Sequence, residues 1–402
     1  MICVKSHFKF NRILLLSIGL WPYERTKLVQ LQAVLVFILL SSSVIHQLAT
    51  LVFTKCTSAL IINVLSIALY FSTFAILYHS FWINNDAMKW LLDKLQHICN
   101  DLKDEKEIAI IIKYGNIAKR LTALFTLCHV CNISSIILLS GLLYFLEAVL
   151  FVEESDSYHF FQKGLPKFII GRENCTYLIT LHFFGAGFIG GTAVLAVGMM
   201  LVSYFKHVCG IFRIASYRIE KAMAVNMLKN ISLENEIIIC KEIVHAVDIH
   251  RKAIKISTLL FSTFNGPLSL LLLVFVICLS FNLYRISESI SRENNIEQCL
   301  IHFVIIIGIF LFLFVTNYIG QEMTDYNNHV FFTVYNVRWY VAPLHVQRLI
   351  LFLLQNGSKA FHLCLGGMFS GSIELFATVK YHFISYVMFN TLCIGIRASA
   401  QI

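Results

Sequence analysis

Seven long apolar runs, separated by polar clusters, make up most of this 402-residue chain. A helix needs ~20 residues to cross the ~30 Å hydrocarbon core of a bilayer, and each run reaches that length. The pattern therefore predicts an all-α membrane protein with seven transmembrane helices. The predicted spans are approximately Leu28–Phe53, Ala59–Trp82, Leu121–Phe151, Tyr177–Phe205, Ile256–Tyr284, Cys299–Ile319 and Met368–Ile394.

The connections on one side of these spans are long and follow a helical pattern. In the second connection, the apolar positions of one helix face are Leu91, Leu92, Leu95, Ile98 and Leu102. Only four prolines interrupt the chain, so we expect spanning helices to continue beyond the bilayer and to pack together there. The chain 1–402 then forms a single domain, with a helical anchor built from 84–120, 206–255 and 320–367.

Basic residues accumulate on the same side as the long connections. Of the 32 Lys and Arg residues, 24 lie in the amino-terminal head or in the second, fourth and sixth connections, and 7 lie on the opposite side. Lys and Arg that flank transmembrane helices concentrate in the cytoplasm. The charge distribution predicts a cytoplasmic amino terminus, a cytoplasmic anchor and, with an odd number of spans, an extracellular carboxyl terminus.

Composition agrees with a membrane protein and accounts for the net charge. Hydrophobic residues make up 58% of the chain, charged residues make up 14%, and the mean hydropathy is +0.74. Soluble domains carry about 25% charged residues. The surplus behind the net charge of +9 lies on the cytoplasmic connections, where anionic lipid attracts it. We therefore expect membrane lipid, and no nucleic acid, as a partner.

Twelve cysteines are spread along the chain without a paired Cys-x-x-Cys framework. The segment 128–131 has a Cys-His-Val-Cys sequence but no second pair of ligands, so we expect no metal and no cofactor. Cys56, Cys175 and Cys299 fall in or beside the extracellular connections, where an oxidising compartment permits a disulfide. Cys175 with Cys299 is the candidate pair. The sequon at Asn174 lies on the same side and is the candidate glycosylation site.

The chain carries no motif that would indicate an enzyme. It lacks a Gly-x-Ser-x-Gly elbow, a phosphate-binding loop, a His-Glu-x-x-His metal helix and a dinucleotide fingerprint. The glycine-rich segment 185–191 lies within the fourth predicted span. Small residues there either let helices approach closely or leave room for a ligand, and both interpretations stay open.

The most specific signal is an ordered set of motifs near the carboxyl terminus. The set comprises Gly320-Gln321, Trp339-Tyr340-x-x-Pro343, Gly366-Gly367-x-Phe369 and Ser385-Tyr386. In this order the motifs resemble the carboxyl-terminal region of insect odorant receptors. The head segment 18–23, with Trp21-Pro22, is similar to that family as well. The seven-span plan with the amino terminus inside extends the resemblance over the whole chain.

The resemblance implies a ligand-gated, nonselective cation channel that serves olfaction at the plasma membrane of sensory neuron dendrites. It implies a heterotetramer with the shared odorant-receptor co-receptor. This chain lacks the long cytoplasmic insertion of the co-receptor and so resembles a tuning subunit. The family plan makes the cytoplasmic extensions the central anchor and has the last span line the pore. Matching Ser385-Tyr386 to the family places the outer gate at Phe389, Asn390 and Cys393. Packing against neighbouring helices is the alternative role for these three residues.

The odorant pocket has no shared motif, but the resemblance implies that it lies in the outer half of the bundle, between the second and sixth spans. A small volatile, apolar ligand would be held there by burial and aromatic contact, and oriented by one or two polar groups. The candidate ligand-binding residues are Tyr70, Tyr144, Phe145, Tyr177, His182, Phe183, Phe281, Tyr284 and Phe303. Ordinary helix packing is the alternative role for each of them.

Three other classes of membrane protein compete with this interpretation. A G-protein-coupled receptor also has seven spans, but it needs the opposite orientation, and its Asp-Arg-Tyr and Asn-Pro-x-x-Tyr motifs are missing. A gustatory-type receptor channel of the same superfamily is closer, but its Thr-Tyr-x-x-x-x-x-Gln-Phe ending is missing. A secondary transporter is disfavoured, because the chain has no paired interrupted helices in two halves.

Overall fold

The computed structural model is nearly all-helical. It describes residues 4–53, 57–150, 173–224, 233–289, 296–357, 364–365, 369–370, 372–381 and 385, and it omits some of their side chains, including those of 139–150 and 173–177. The helices are α1 (Val4–His7), α2 (Lys9–Ser17), α3 (Lys27–Phe53), α4 (Ser58–Ile83), α5 (Asn85–Asn100), α6 (Glu105–Leu150), α7 (Glu173–Ala222), α8 (Leu233–Glu288), α9 (Ile296–Asn336), α10 (Leu344–Gly357) and α11 (373–381). A short 3-10 turn, Trp339–Val341, joins α9 to α10.

The long helices account for most of the predicted spans. Among the described residues, α3, α4, α7, α8 and α9 each contain a segment that is long and apolar enough to cross a membrane. The third predicted span falls in α6, and the seventh is described only in part. With 46 residues, α6 is about 69 Å long at 1.5 Å per residue. This is more than twice the ~30 Å of hydrocarbon, so the helix extends well past a bilayer.

The long helices run antiparallel, which gives the bundle two ends. The Tyr78 hydroxyl, late in α4, lies 3.0 Å from the Ile18 carbonyl oxygen and 3.1 Å from that of Ala33, beside the start of α3. At the opposite end, Ser42 of α3 meets His182 near the start of α7, with Oγ 3.4 Å from Nε2. We name the first the near end, which also holds α1, α2 and α5. The second is the far end, where α3 ends and α4 begins.

The amino-terminal segment packs into the near-end core. Phe8, Leu20 and Trp21 are buried there. Gly19 turns the chain back onto α3 with a φ of +74°, and a Cβ at this position would lie 2.9 Å from the backbone nitrogen of Ala33. Glycine adopts this conformation without steric cost, and its missing Cβ permits the close approach. The head is thus part of the folded bundle.

Two charged pairs tie the near-end helices together. Arg218 of α7 donates to both carboxylate oxygens of Glu107 in α6, at 2.6 and 2.9 Å, and both side chains are largely buried. Lys206 of α7 donates to Glu322 of α9 at 2.6 Å. A buried charge that loses its partner is strongly destabilising. These pairs therefore restrict which faces of α6, α7 and α9 can meet.

A short hairpin precedes the last described helix. The strands β1 (Cys364–Leu365) and β2 (Phe369–Ser370) pair antiparallel, with Leu365 opposite Phe369. They flank the predicted Gly-Gly-x-Phe turn, whose glycines lie outside the described residues. The hairpin is a small addition to the predicted all-α fold, and it brings the chain from α10 to the start of α11.

The first turn of α11 is held by α9. The Ser372 backbone N–H donates to Asn317 Oδ1 at 3.2 Å. The Ser372 hydroxyl oxygen accepts from the Leu375 N–H at 3.2 Å, which is the arrangement of an N-cap. One turn on, the Phe376 ring meets the Phe314 ring edge-on, with centroids 5.4 Å apart. A shift of α9 at this level would therefore move the start of α11.

Candidate functional site

Aromatic rings from three helices converge at the far end. The Phe183 ring of α7 contacts the rings of His46 on α3, Phe71 on α4 and its neighbour His182, at centroid distances of 5.3, 5.7 and 5.5 Å. Tyr70 continues the chain of rings from Phe71, at 6.2 Å. We call these five residues the far-end aromatic cluster. Most of its contacts are edge-to-face, the arrangement that aromatic quadrupoles favour.

Small residues on α7 permit the close packing below this cluster. Ala186 and Ala193 are completely buried. A Cβ at Gly190 would lie 2.3 Å from Phe74 of α4, whereas a Cβ at Gly185 would meet no atom within 4 Å. The glycine-rich segment therefore serves helix packing at Gly190 and borders open space at Gly185. Each of the two interpretations drawn from the sequence applies to part of it.

The cluster also contains polar atoms. The Ser42 hydroxyl donates to the Leu39 carbonyl oxygen at 3.1 Å, so its oxygen accepts from His182 Nε2 at 3.4 Å. This leaves Nδ1 of the neutral His182 ring as a hydrogen-bond acceptor. His46 Nε2 is buried without a hydrogen-bond partner among the described residues. The site thus combines an apolar, aromatic wall with imidazole nitrogens that can engage a ligand.

A second polar cluster at the far end is fully hydrogen-bonded at its centre. Asn282 of α8 donates to the Cys278 carbonyl oxygen and accepts from His302 Nδ1 of α9, both at 2.7 Å. Cys278 Sγ lies 3.5 Å from the Ser66 carbonyl oxygen of α4. Asn282 and His302 are both buried. Because these groups satisfy one another, the cluster fixes α4, α8 and α9 side by side.

The structure brings together three of the candidate ligand-binding residues, Tyr70, His182 and Phe183. Phe281 is half-buried, while Tyr284 and Phe303 are 41% and 54% exposed on the single chain. The candidates whose side chains lie outside the described residues are Tyr144, Phe145 and Tyr177. The same holds for the gate candidates Phe389, Asn390 and Cys393, and for the sequon side chain of Asn174.

Sequence reasoning did not select His46 or Phe71. His46 carried a usable signal, since an ionisable residue inside an apolar span is a functional candidate by default. Phe71 carries none, because phenylalanine is common throughout the spans. Helix direction and rotation, which bring these residues to Phe183, are not written in the local sequence.

The cysteines show no metal-binding arrangement within the described part of the chain. No group of three or more His, Cys, Asp or Glu side chains there could hold a metal ion. His129 of the Cys-His-Val-Cys segment pairs with Thr192 Oγ1 at 3.2 Å. Cys299 Sγ lies 3.8 Å from the Ile286 carbonyl oxygen. The side chain of Cys175 lies outside the described residues, so the Cys175–Cys299 disulfide stays a prediction.

Comparisons with known proteins address the fold and the family. Solved structures of the insect olfactory receptor OR5 from Machilis hrabei are similar over almost the whole chain, with a TM-score of 0.70 and 15% identity. The structure in complex with eugenol covers 97% of each chain, and a second structure of the receptor covers 96% of this chain and 97% of that one. These matches confirm the predicted all-α fold with seven transmembrane helices. No curated protein matches the chain. The family model described as 7tm Odorant receptor matches residues 31–382, and the chain therefore belongs to the 7tm odorant receptor family.

Proposed function

We propose that this chain is a tuning subunit that binds a small volatile odorant at the far end of its bundle and thereby opens a nonselective cation pore. The observation that carries the proposal is the far-end aromatic cluster, where α3, α4 and α7 present edge-to-face rings and imidazole nitrogens together. Apolar walls with a few polar groups are typical of small-molecule sites. Candidate residues Tyr70, His182 and Phe183 belong to this cluster.

In the proposed orientation, the near end lies on the cytoplasmic side of the plasma membrane of sensory neuron dendrites. Basic residues support it, because the connections that meet at the near end carry most of the Lys and Arg of the chain. The far end then faces the extracellular side, from which a neutral volatile enters. Asn174 would lie on the same side and be open to glycosylation.

The proposed coupling runs from the far end along α9 to α11. Asn317 and Phe314 of α9 hold the start of α11, and α11 lies in the span expected to line the pore. A ligand opens a channel only if it binds the open arrangement better than the closed one. Movement of α9 would pass that preference to the gate, which we assign to Phe389, Asn390 and Cys393.

The proposed partner is the odorant-receptor co-receptor, in a heterotetramer held together at the near end. A groove of about 450 Å³ in this region supports the proposal. Its rim includes the pair His345 Nδ1 and Glu236 Oε1, 2.7 Å apart. Ile237 and Val244 in the same groove are exposed on the single chain, as expected of a surface that another subunit covers. The groove is lined by Glu236, Ile237, Cys240, Lys241, Val244 and His345.

Whole-cell recording tests the proposal most directly. The chain is expressed with and without the co-receptor, and currents are measured over a panel of volatiles. We expect ligand-evoked cation currents that depend on co-expression, and an epitope at Met1 that is not labelled on intact cells. Phe389→Ala should raise the resting current. Saturable uptake without channel current, or surface labelling at Met1, would contradict the proposal.

A further inference from the structure

The two histidines of the far-end aromatic cluster offer complementary hydrogen-bonding atoms close to each other. Both imidazole rings contact the same Phe183 ring, at 5.3 and 5.5 Å. Ser42, which holds His182, lies one helical turn before His46 on α3, and side chains at that spacing are neighbours. Both imidazoles thus border one phenyl ring, where a single small ligand can meet His46 Nε2 and His182 Nδ1.

The protonation of these rings determines what they can bind. His182 donates through Nε2 to Ser42, so its Nδ1 can only accept. His46 Nε2, without a partner among the described residues, is free to carry a proton and to donate. With the His46 proton on Nε2, a ligand that suits both rings accepts from His46 and donates to His182. Among common uncharged groups of volatile molecules, a hydroxyl does both through a single oxygen.

The walls of the site determine the rest of the ligand. Phe71, Phe183 and Tyr70 present ring faces and edges at successive distances of 5.7 and 6.2 Å. An aromatic ring in the ligand can add a further edge-to-face contact to this series. We propose that the far-end aromatic cluster is selective for aryl alcohols, with the ligand hydroxyl bridging His46 and His182. This inference rests on the proposed odorant-receptor function.

Three probes with the same phenyl frame separate the two hydrogen bonds. The probe 2-phenylethanol donates and accepts, phenylacetaldehyde only accepts, and propylbenzene does neither. One hydrogen bond changes affinity by about five-fold. In cells that express the chain with the co-receptor, we expect the aldehyde to be about five-fold less potent than the alcohol, and propylbenzene about 25-fold less potent.

Two substitutions assign each hydrogen bond to its histidine. His182→Phe should remove the preference for alcohol over aldehyde. His46→Phe should lower the potency of both the alcohol and the aldehyde by about five-fold. His46→Gln keeps an N–H donor and should restore part of this potency. The propylbenzene response in each variant reports whether the channel still folds and opens. His79→Phe is the matched control, because His79 also has a buried Nε2 without a partner but packs on Phe37 towards the near end.

The outcomes separate this inference from the proposed function. Equal potency of the alcohol and propylbenzene, or unchanged ratios in both histidine variants, overturns the inference alone. The same holds if none of the three probes opens the channel while other volatiles do. If the chain reaches the cell surface with the co-receptor and no volatile of the panel evokes current, the proposed function fails, and the inference falls with it.

Discussion

Gly190→Ala should distort the packing beneath the far-end aromatic cluster, while Gly185→Ala should not. The added Cβ at position 190 would lie 2.3, 2.7 and 3.0 Å from three atoms of Phe74, whereas at position 185 it would meet nothing within 4 Å. Carbon atoms pack favourably at about 3.5–4.0 Å. The Phe74 ring must therefore move, and it contacts Tyr70 at 4.8 Å and Phe71 at 5.7 Å.

The two substitutions share one energetic contribution and differ in another. Replacing glycine by alanine within a helix favours the helix by about 1 kcal/mol at either position. Overpacking a well-filled site costs typically about 1–3 kcal/mol, and only position 190 incurs it. The free energy of unfolding should thus be about 1–3 kcal/mol lower for Gly190→Ala than for Gly185→Ala.

Thermal melting of the detergent-solubilised chain measures this difference. The readout is the loss of the monodisperse chromatographic peak as the temperature rises. We expect Gly190→Ala to melt about 1–4 °C below Gly185→Ala. Adding Phe74→Ala removes the two closest atoms, so the double variant should be less destabilised than the sum of the single effects. Equal melting temperatures for the two glycine variants would refute the assigned contact between α4 and α7.

Three further predictions concern the near end and the start of α11. Ser372→Ala removes the N-cap of α11 and should weaken that helix end by about 1 kcal/mol, seen as an altered resting current at unchanged surface expression. Arg218→Lys cannot make the two-pronged contact with Glu107 and should lower the melting temperature, whereas Arg213→Lys, in a longer and more exposed pair, should leave it nearly unchanged. The hydrogen bond from Lys221 holds the pKa of Asp104 below its usual range. Asp104 therefore stabilises the fold above the pKa of ~4 of an unfolded carboxyl, and this contribution is lost as the pH falls through the lowered value. The melting difference between the unchanged protein and Asp104→Asn should accordingly stay nearly constant from pH 7 to about pH 4 and narrow as the pH falls further, and a difference that does not narrow below about pH 4 would contradict the assignment.

Hydropathy predicts the existence of the long helices better than their ends. The fourth predicted span begins at Tyr177 and ends at Phe205, while α7 runs from Glu173 to Ala222. The fifth begins at Ile256, while α8 begins at Leu233. Hydropathy detects where the chain leaves hydrocarbon, but a helix continues for as long as its backbone bonds and its packing permit. The helical pattern of the connections does predict that these helices continue beyond the bilayer. It does not predict how far they continue.

The rotation of each helix is the part of the site that sequence could not supply. Tyr284 and Phe303 satisfy the same criteria of residue type and depth as Tyr70 and Phe183, yet they lie on exposed faces of the single chain. A span that is apolar on all sides gives no indication of which face meets its neighbours. That choice depends on contacts between distant segments, such as Gly190 with Phe74.

Polar residues inside the bundle differ in function according to whether their hydrogen-bonding capacity is used. Asn282 and His302 are buried and satisfied by each other and by Cys278, so they hold helices together and have little left to offer a ligand. His46 lies at the same end of the bundle with a buried nitrogen that lacks a partner among the described residues. Leaving such an atom unpaired costs about 1–3 kcal/mol, and a ligand that pairs with it recovers this energy on binding. Counting donors and acceptors, rather than residue types, therefore distinguishes the helix-locking cluster from the ligand-binding one.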